Sequence, residues 1–151
     1  MSRTKVNFIA NGNTELLEKF INYIMKDGKK TVARRNLTDA FAIIKKKTGS
    51  NPQEVFDKAM TEAKPSMEVR PKRIGGSVYQ IPREVKPFRQ FQLASRWMLA
   101  AVRAQKGSAF SQRLANIIMQ TANNEGPVIK KKEDTHRMAQ ANKAFAHFAR
   151  Y

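Results

Sequence analysis

The chain has 151 residues, and 29 Lys and Arg against 12 Asp and Glu give it a formal charge of +17. Self-repulsion of that size works against a compact molecule standing alone and attracts polyanions, so a nucleic-acid partner is expected. Zero cysteines exclude a disulfide framework and thiolate metal sites, and no stretch approaches the roughly 18 consecutive apolar residues of a membrane span.

Residues 1–13 show no period and no apolar run of the kind that opens a signal peptide, so an irregular arm on a soluble, intracellular protein is expected, with Arg3 and Lys5 as its cations. Leu16, Leu17, Phe20, Ile21, Ile24 and Met25 then recur at helical spacing, with Asn13 or Thr14 as the cap. Gly28 stands where a left-handed residue would close that helix. A second helix is expected to run to about Thr48 through Val32, Leu37, Ala40, Phe41 and Ile44. Its last turn carries Lys45 to Lys47, which the helix dipole favours. Lys29, Lys30, Arg34 and Arg35 crowd the positive end instead, where they need some other partner; they form one binding candidate. Gly49 ends this helix, and Ser50-Asn-Pro-Gln opens a third, with Pro52 at the first helical position and capping-box spacing from Ser50 to Gln53. Val55, Phe56, Ala59, Met60 and Ala63 supply its apolar stripe. Glu54, Asp57 and Glu62 make it the acidic stretch, expected to face away from a polyanion.

Pro65 stops that helix, and residues 66–86 read as a β-hairpin arm. Two basic, β-branched runs flank Gly75-Gly76, a pair that accepts the positive φ of a tight turn. Counting outward from the turn sets Ile74 against Ser77, Lys72 against Tyr79, Arg70 against Ile81 and Glu68 against Arg83, the last a cross-strand pair of opposite charge. Pro71 and Pro82 then fall at non-hydrogen-bonded positions, where no ladder bond is lost. A lone two-stranded ribbon is marginally stable, so it needs support. The few apolar residues of this one promise only shallow anchoring. Arg70, Lys72, Arg73, Arg83 and Lys86 outnumber Glu68 and Glu84, which suits a nucleic-acid groove or backbone. An ordinary solvated hairpin is the plain alternative.

After Pro87 a helix is expected to about Lys106, with Phe91, Ala94, Met98, Ala101 and Val102 on one face and Trp97 packed at its flank. Arg89, Arg96 and Arg103 lie seven apart, drift only about 20° per step, and fall on the opposite side. From Val85 through Asn124 there is no Asp or Glu, so this stripe reads as a phosphate-facing surface. Gly107-Ser108 breaks the chain before a fifth helix on Phe110, Leu114, Ile117 and Ile118, which carries Arg113 and closes at Gly126-Pro127. The last segment is basic at Lys130, Lys131, Lys132, Arg137 and Lys143, with Met138, Ala141, Phe145 and Phe148 at helical spacing.

Catalytic chemistry finds no constellation here. His136 and His147 share a helix face but lie three turns apart, about 16 Å, too far to chelate one metal. Glu133 and Asp134 are adjacent and point about 100° apart; they suit a helix N-terminus, not paired acid–base work. Asp27-Gly-Lys-Lys lacks the glycine spacing of a phosphate loop. Neither an enzyme nor a cofactor is expected.

Four stretches carry a resemblance: Asp27-Gly28-Lys29-Lys30, Arg73-Ile-Gly-Gly-Ser-Val-Tyr-Gln-Ile-Pro-Arg-Glu-Val85, Leu93-Ala-Ser-Arg-Trp97, and Lys131-Lys-Glu-Asp-Thr-His-Arg-Met-Ala-Gln-Ala-Asn-Lys-Ala-Phe-Ala-His147. In this order and spacing, the chain resembles the small-subunit ribosomal protein seven family, of bacterial or organellar type, over essentially its full length. The resemblance implies a helical domain with an extended ribbon, bound to the 3′ major domain of small-subunit rRNA and initiating assembly of the subunit head. The ribbon, with Ile74, Gly75, Gly76, Ser77, Tyr79 and Arg83, would lie near the exit-site tRNA and the mRNA. Neighbouring head and platform proteins are the other implied partners, with one copy per ribosome in a bacterial cytoplasm or an organelle. The expected architecture is mainly α: a single domain over 1–151 with about six helices and a protruding two-stranded hairpin. An architectural DNA-bending protein also uses basic β-arms, usually as an intertwined dimer, and is the alternative from a different class. An enzyme acting on RNA is disfavoured by the missing acid–base constellation.

Overall fold

A computed structural model describes residues 14–150; Arg3, Lys5 and the expected N-terminal arm lie outside the described residues. Its elements are α1 (Glu15–Ile24), α2 (Lys30–Thr48), α3 (Pro52–Ala63), β1 (Met67–Ile74), β2 (Ser77–Glu84), α4 (Pro87–Ala104), α5 (Phe110–Ala122), α6 (Pro127–Ala141) and a 3-10 helix (Lys143–Arg150). The expected mainly helical protein with one antiparallel hairpin is what forms.

Thr14 opens α1, its hydroxyl accepting from the Leu17 N–H at 3.3 Å. Gly28 does not close that helix. α1 ends at Ile24, Met25 leaves in extended conformation with its side chain against the core, and Asp27 and Gly28, at φ 54° and 73°, form the turn into α2. At α3 the cap is Asn51, not Ser50, and Asn51 Oδ1 accepts from Gln53 N at 3.1 Å. The reason is Pro52: fixed at the first helical position, it makes the residue just before it the cap. Gly126 and Pro127 likewise open α6; α5 has already ended at Ala122. Glu133 and Asp134 therefore sit in mid-helix, away from any N-terminus.

α5 is the hub, packed against α2, α3, α4 and α6. Leu17, Phe20 and Ile21 of α1 meet Ile44 of α2, Phe56 of α3, Met98 of α4, Ile117 of α5 and Val128 of α6 in one hydrophobic cluster. Phe20 stands edge-on to Phe56, with ring centroids 5.0 Å apart. Two residues expected in this core are outside it: Leu16 is 42% exposed and Val32 48%. Each sits at the margin of its helix's apolar arc, and the neighbouring helices cover only the centre of that arc.

The hairpin register is the expected one: Ile74↔Ser77, Lys72↔Tyr79, Arg70↔Ile81, Glu68↔Arg83. Gly75 and Gly76 both have positive φ, 57° and 87°, the requirement of the tight turn whose twist matches paired strands. Glu68 does oppose Arg83, but its buried carboxylate bonds elsewhere. Arg70 reaches it at 3.0 Å along β1, and Arg89 reaches it at 3.4 Å from α4.

Anchoring of the hairpin is deeper than expected. Ile81 and Val85 are buried at its root, and Tyr79 meets Phe145 and Phe148 of the 3-10 helix at 5.1 and 6.0 Å between ring centroids. Lys72 Nζ donates to the Phe148 carbonyl at 3.0 Å. The last segment is thus two pieces, not one helix. Asn142 Nδ2 donates to the Met138 carbonyl at 2.8 Å, competing for a helical acceptor just where α6 stops. Met138 is exposed, and Val128, Ile129 and Ala139 are the buried residues of α6.

His136 of α6 ties down the hairpin's entry. Its Nε2 accepts from the Ser66 N–H at 3.0 Å, so this bond needs the ring neutral at that nitrogen. Burial, then the nearby positive charge of Lys132, lowers the His136 pKa below its ordinary 6.5. Below that value the unfolded chain binds the extra proton first, so stability is whole above about pH 6.5 and declines as pH falls toward the lowered value. Urea midpoints taken at about pH 7.5 and about pH 5.5 are expected to differ for the native chain and to differ less for His136→Gln.

Candidate nucleic-acid interface

Cations expected to meet phosphate divide into those with internal partners and those without. At the start of α2, the partner that the basic cluster required is in part internal. Glu18, buried on α1, accepts from Arg34 at 3.2 Å and lies 3.7 Å from Lys30 Nζ. Lys29 and Arg35 are exposed and make no ion pair among the described residues.

The arginine stripe of α4 divides in the same way. Arg89 is held by Glu68 and by Gln92 Oε1 at 2.6 Å. Arg103 donates to the Ile24 carbonyl at 3.4 Å, at the end of α1. Arg96 is exposed, without an ion pair among the described residues. Arg113 turns back from α5 to the end of α4, donating to the carbonyls of Val102 and Gln105, with its guanidinium 5.8 Å from the Phe110 ring centroid. Such cations neutralise the partial negative charge of a helix C-terminus.

On the hairpin, Arg73 and Arg83 are exposed, whereas Arg70 and Lys72 hold Glu68 and the 3-10 helix. Ile74 is half-buried, and Gly75, Gly76 and Ser77 at the tip are exposed. In α6 and beyond, Lys130, Lys131 and Lys143 are exposed. Lys132 Nζ donates to the Glu62 carbonyl at 2.8 Å, and Arg137 pairs with Asp134 at 3.3 Å.

A groove of about 440 Å³ lies between the α1–α2 turn, the start of α2 and the α4–α5 connection. Lys26 and Lys29 line it with Arg103 and Arg113, beside Ile24, Val32 and Phe110. Lys26 went unnoticed in the sequence because the turn that presents it has no period. Phe88, 66% exposed in the first turn of α4 with Lys19 Nζ 6.0 Å from its ring centroid, was equally silent. Among the described residues no group of three or more His, Cys, Asp or Glu is placed to hold a metal ion, and no helix is long and apolar enough to cross a membrane.

This arrangement offers exposed positive charge, and comparison with known proteins shows which family carries it. The family model described as ribosomal protein S7p/S5e matches residues 2–143. The chain belongs to that family. The small ribosomal subunit protein uS7 of Lactobacillus delbrueckii subsp. bulgaricus is 51% identical over 136 residues, covering 90% of this chain and 87% of that protein. The uS7 protein of Thermotoga neapolitana is 53% identical over 133 residues, 88% of this chain and 86% of that one. That of Thermomicrobium roseum is 48% identical over 135 residues, 89% and 86% respectively. The family resemblance read from four short stretches therefore holds over almost the whole chain. The S7p/S5e family is structural and non-enzymatic, and the DNA-bending alternative has no counterpart among these relatives. For a ribosomal protein of this family, the division of cations separates two tasks. Those bonded internally build the body, and those left exposed are available to a partner.

Proposed function

We propose that this ribosomal protein is a constituent of the small ribosomal subunit, where it binds the 3′ major domain of small-subunit rRNA and nucleates assembly of the head. The exposed cations neutralise phosphates while the rigid helical body fixes the geometry of an RNA junction. The hairpin, clasped by the C-terminal 3-10 helix, extends toward the exit-site tRNA and the mRNA. Neighbouring proteins of the head and platform complete its surroundings, and one copy serves each ribosome, in a bacterial cytoplasm or an organelle. The whole chain, 1–151, acts as a single domain.

One observation carries this reading. Lys29 at the start of α2, Arg35 and Arg96 are exposed and have no ion-pair partner among the described residues, and α4 and α5 contain no acid at all. A surface that only needed solvation would mix both signs. The test is co-sedimentation of the tagged chain with small ribosomal subunits after a high-salt wash. It is expected to remain in the subunit fraction; release into the supernatant with other loosely held basic proteins would overturn a structural role.

A further inference from the structure

We propose that the groove at the end of the helical bundle receives one unstacked nucleotide of the bound RNA, base inward and phosphate at the rim. This rests on the RNA-binding reading and adds what the site recognises: a single-stranded element, not a duplex.

The groove joins two properties that phosphate binding alone does not require together. Lys26, Lys29, Arg103 and Arg113 make its charged lining, and no Asp or Glu takes part. Beside them lies an apolar surface with a Val32 side chain that the core leaves half in water. A rim built only for phosphate gains nothing from exposed valine, and single-stranded RNA is recognised by inserting splayed bases against apolar and aromatic side chains. Phe110 supplies a ring at the wall, and the volume falls within the roughly 300–1,000 Å³ of small-molecule sites.

Helix ends reinforce the sign of the site. α2 and α5 both begin without a side-chain cap hydrogen bond, and Lys29 at the cap position of α2 and Phe110 at the first position of α5 line the groove. Each therefore presents the positive end of its dipole there. The negative ends that approach the same place, those of α1 and α4, have carbonyls already bonded to Arg103 and Arg113. Positive ends without side-chain caps, negative ends already bonded to arginines and four cations in the lining leave a concave site suited to a base with an anion attached.

The probes are fluorescein-labelled oligoadenylate and an abasic oligomer of the same length, hence with the same phosphates. The native chain is expected to bind the base-bearing strand at least about fivefold more tightly, the low end for one inserted base. Val32→Trp fills the groove from an exposed position without touching a charge. It should abolish that preference while leaving abasic binding, its salt dependence and the helical melting curve unchanged. Val32→Asn, which makes the apolar wall polar, should reduce the preference without adding bulk. Equal binding of the two strands by the native chain overturns the groove proposal and leaves phosphate binding standing, as does a Val32→Trp chain that keeps the full preference. Loss of the broader RNA-binding reading looks different: neither strand binds, and an rRNA fragment does not bind either.

Discussion

Affinity for a fragment of small-subunit rRNA is expected to fall by about a thousandfold as salt rises from about 50 to about 200 mM, the response of roughly six neutralised phosphates. Cations left without internal partners are numerous enough to supply that many contacts. Lys26, Lys29, Arg35, Arg73, Arg83, Arg96, Lys130 and Lys131 are all exposed, and none is in an ion pair among the described residues. Arginines of the α4 stripe should behave differently from one another. Arg96→Gln should lower the log–log salt slope by about one unit and leave folding alone. Arg89→Gln should act mainly on stability, because it strips one of two cations from the buried Glu68 carboxylate. Filter binding across a salt series, with urea denaturation of each variant, separates the two effects. A nearly flat affinity from low to moderate salt would sink the electrostatic reading of the surface.

Phe56→Ala is expected to cost about 3–5 kcal/mol, out of the roughly 5–15 kcal/mol that holds a typical domain folded. Phe56 is 1% exposed, and its ring lies edge-on to Phe20 and 6.0 Å from Phe41, so one side chain joins α3 to α1 and α2. Deleting it loses apolar contact and opens a cavity among three helices of a chain whose net charge of +17 pushes outward. The variant should be partly unfolded at low ionic strength and regain helicity as salt screens the repulsion. Phe88→Ala is the control: at 66% exposed, its loss should stay within about 0.5 kcal/mol. Equal urea midpoints for native and Phe56→Ala would mean that this contact is not part of the stabilising core.

What the sequence disclosed depended on whether the cause was local. Gly75-Gly76 sets the hairpin register by itself, because strand geometry has a period of two and the count runs outward from the turn. Pro52 likewise names its helix start, although the cap is Asn51 and not the expected Ser50. Hydrophobic periodicity located every α-helix but drew its buried arc too wide, so Leu16 and Val32 were placed in a core that does not reach them. The Glu18–Arg34 pair spans 16 positions between two helices, and no spacing rule announces such a contact. Phe145 and Phe148 show how a correct pattern can have the wrong meaning. A 3-10 helix has three residues per turn, so side chains three apart still share a face. The stripe was there, but it meets Tyr79 of the hairpin.

The clasp between the 3-10 helix and the hairpin links residues as far as 76 positions apart in the chain, as between Lys72 and Phe148. At about 5–20 residues per second, the far partner is synthesised roughly 4–15 s after the near one. The hydrophobic cluster of the bundle has its last member at Val128, well before Phe145 and Phe148 exist. Until the 3-10 helix forms, Tyr79 is bare and the ribbon is held only at its root. The arm therefore gains its direction last, from contacts made by residues that follow every member of the bundle's core in the chain.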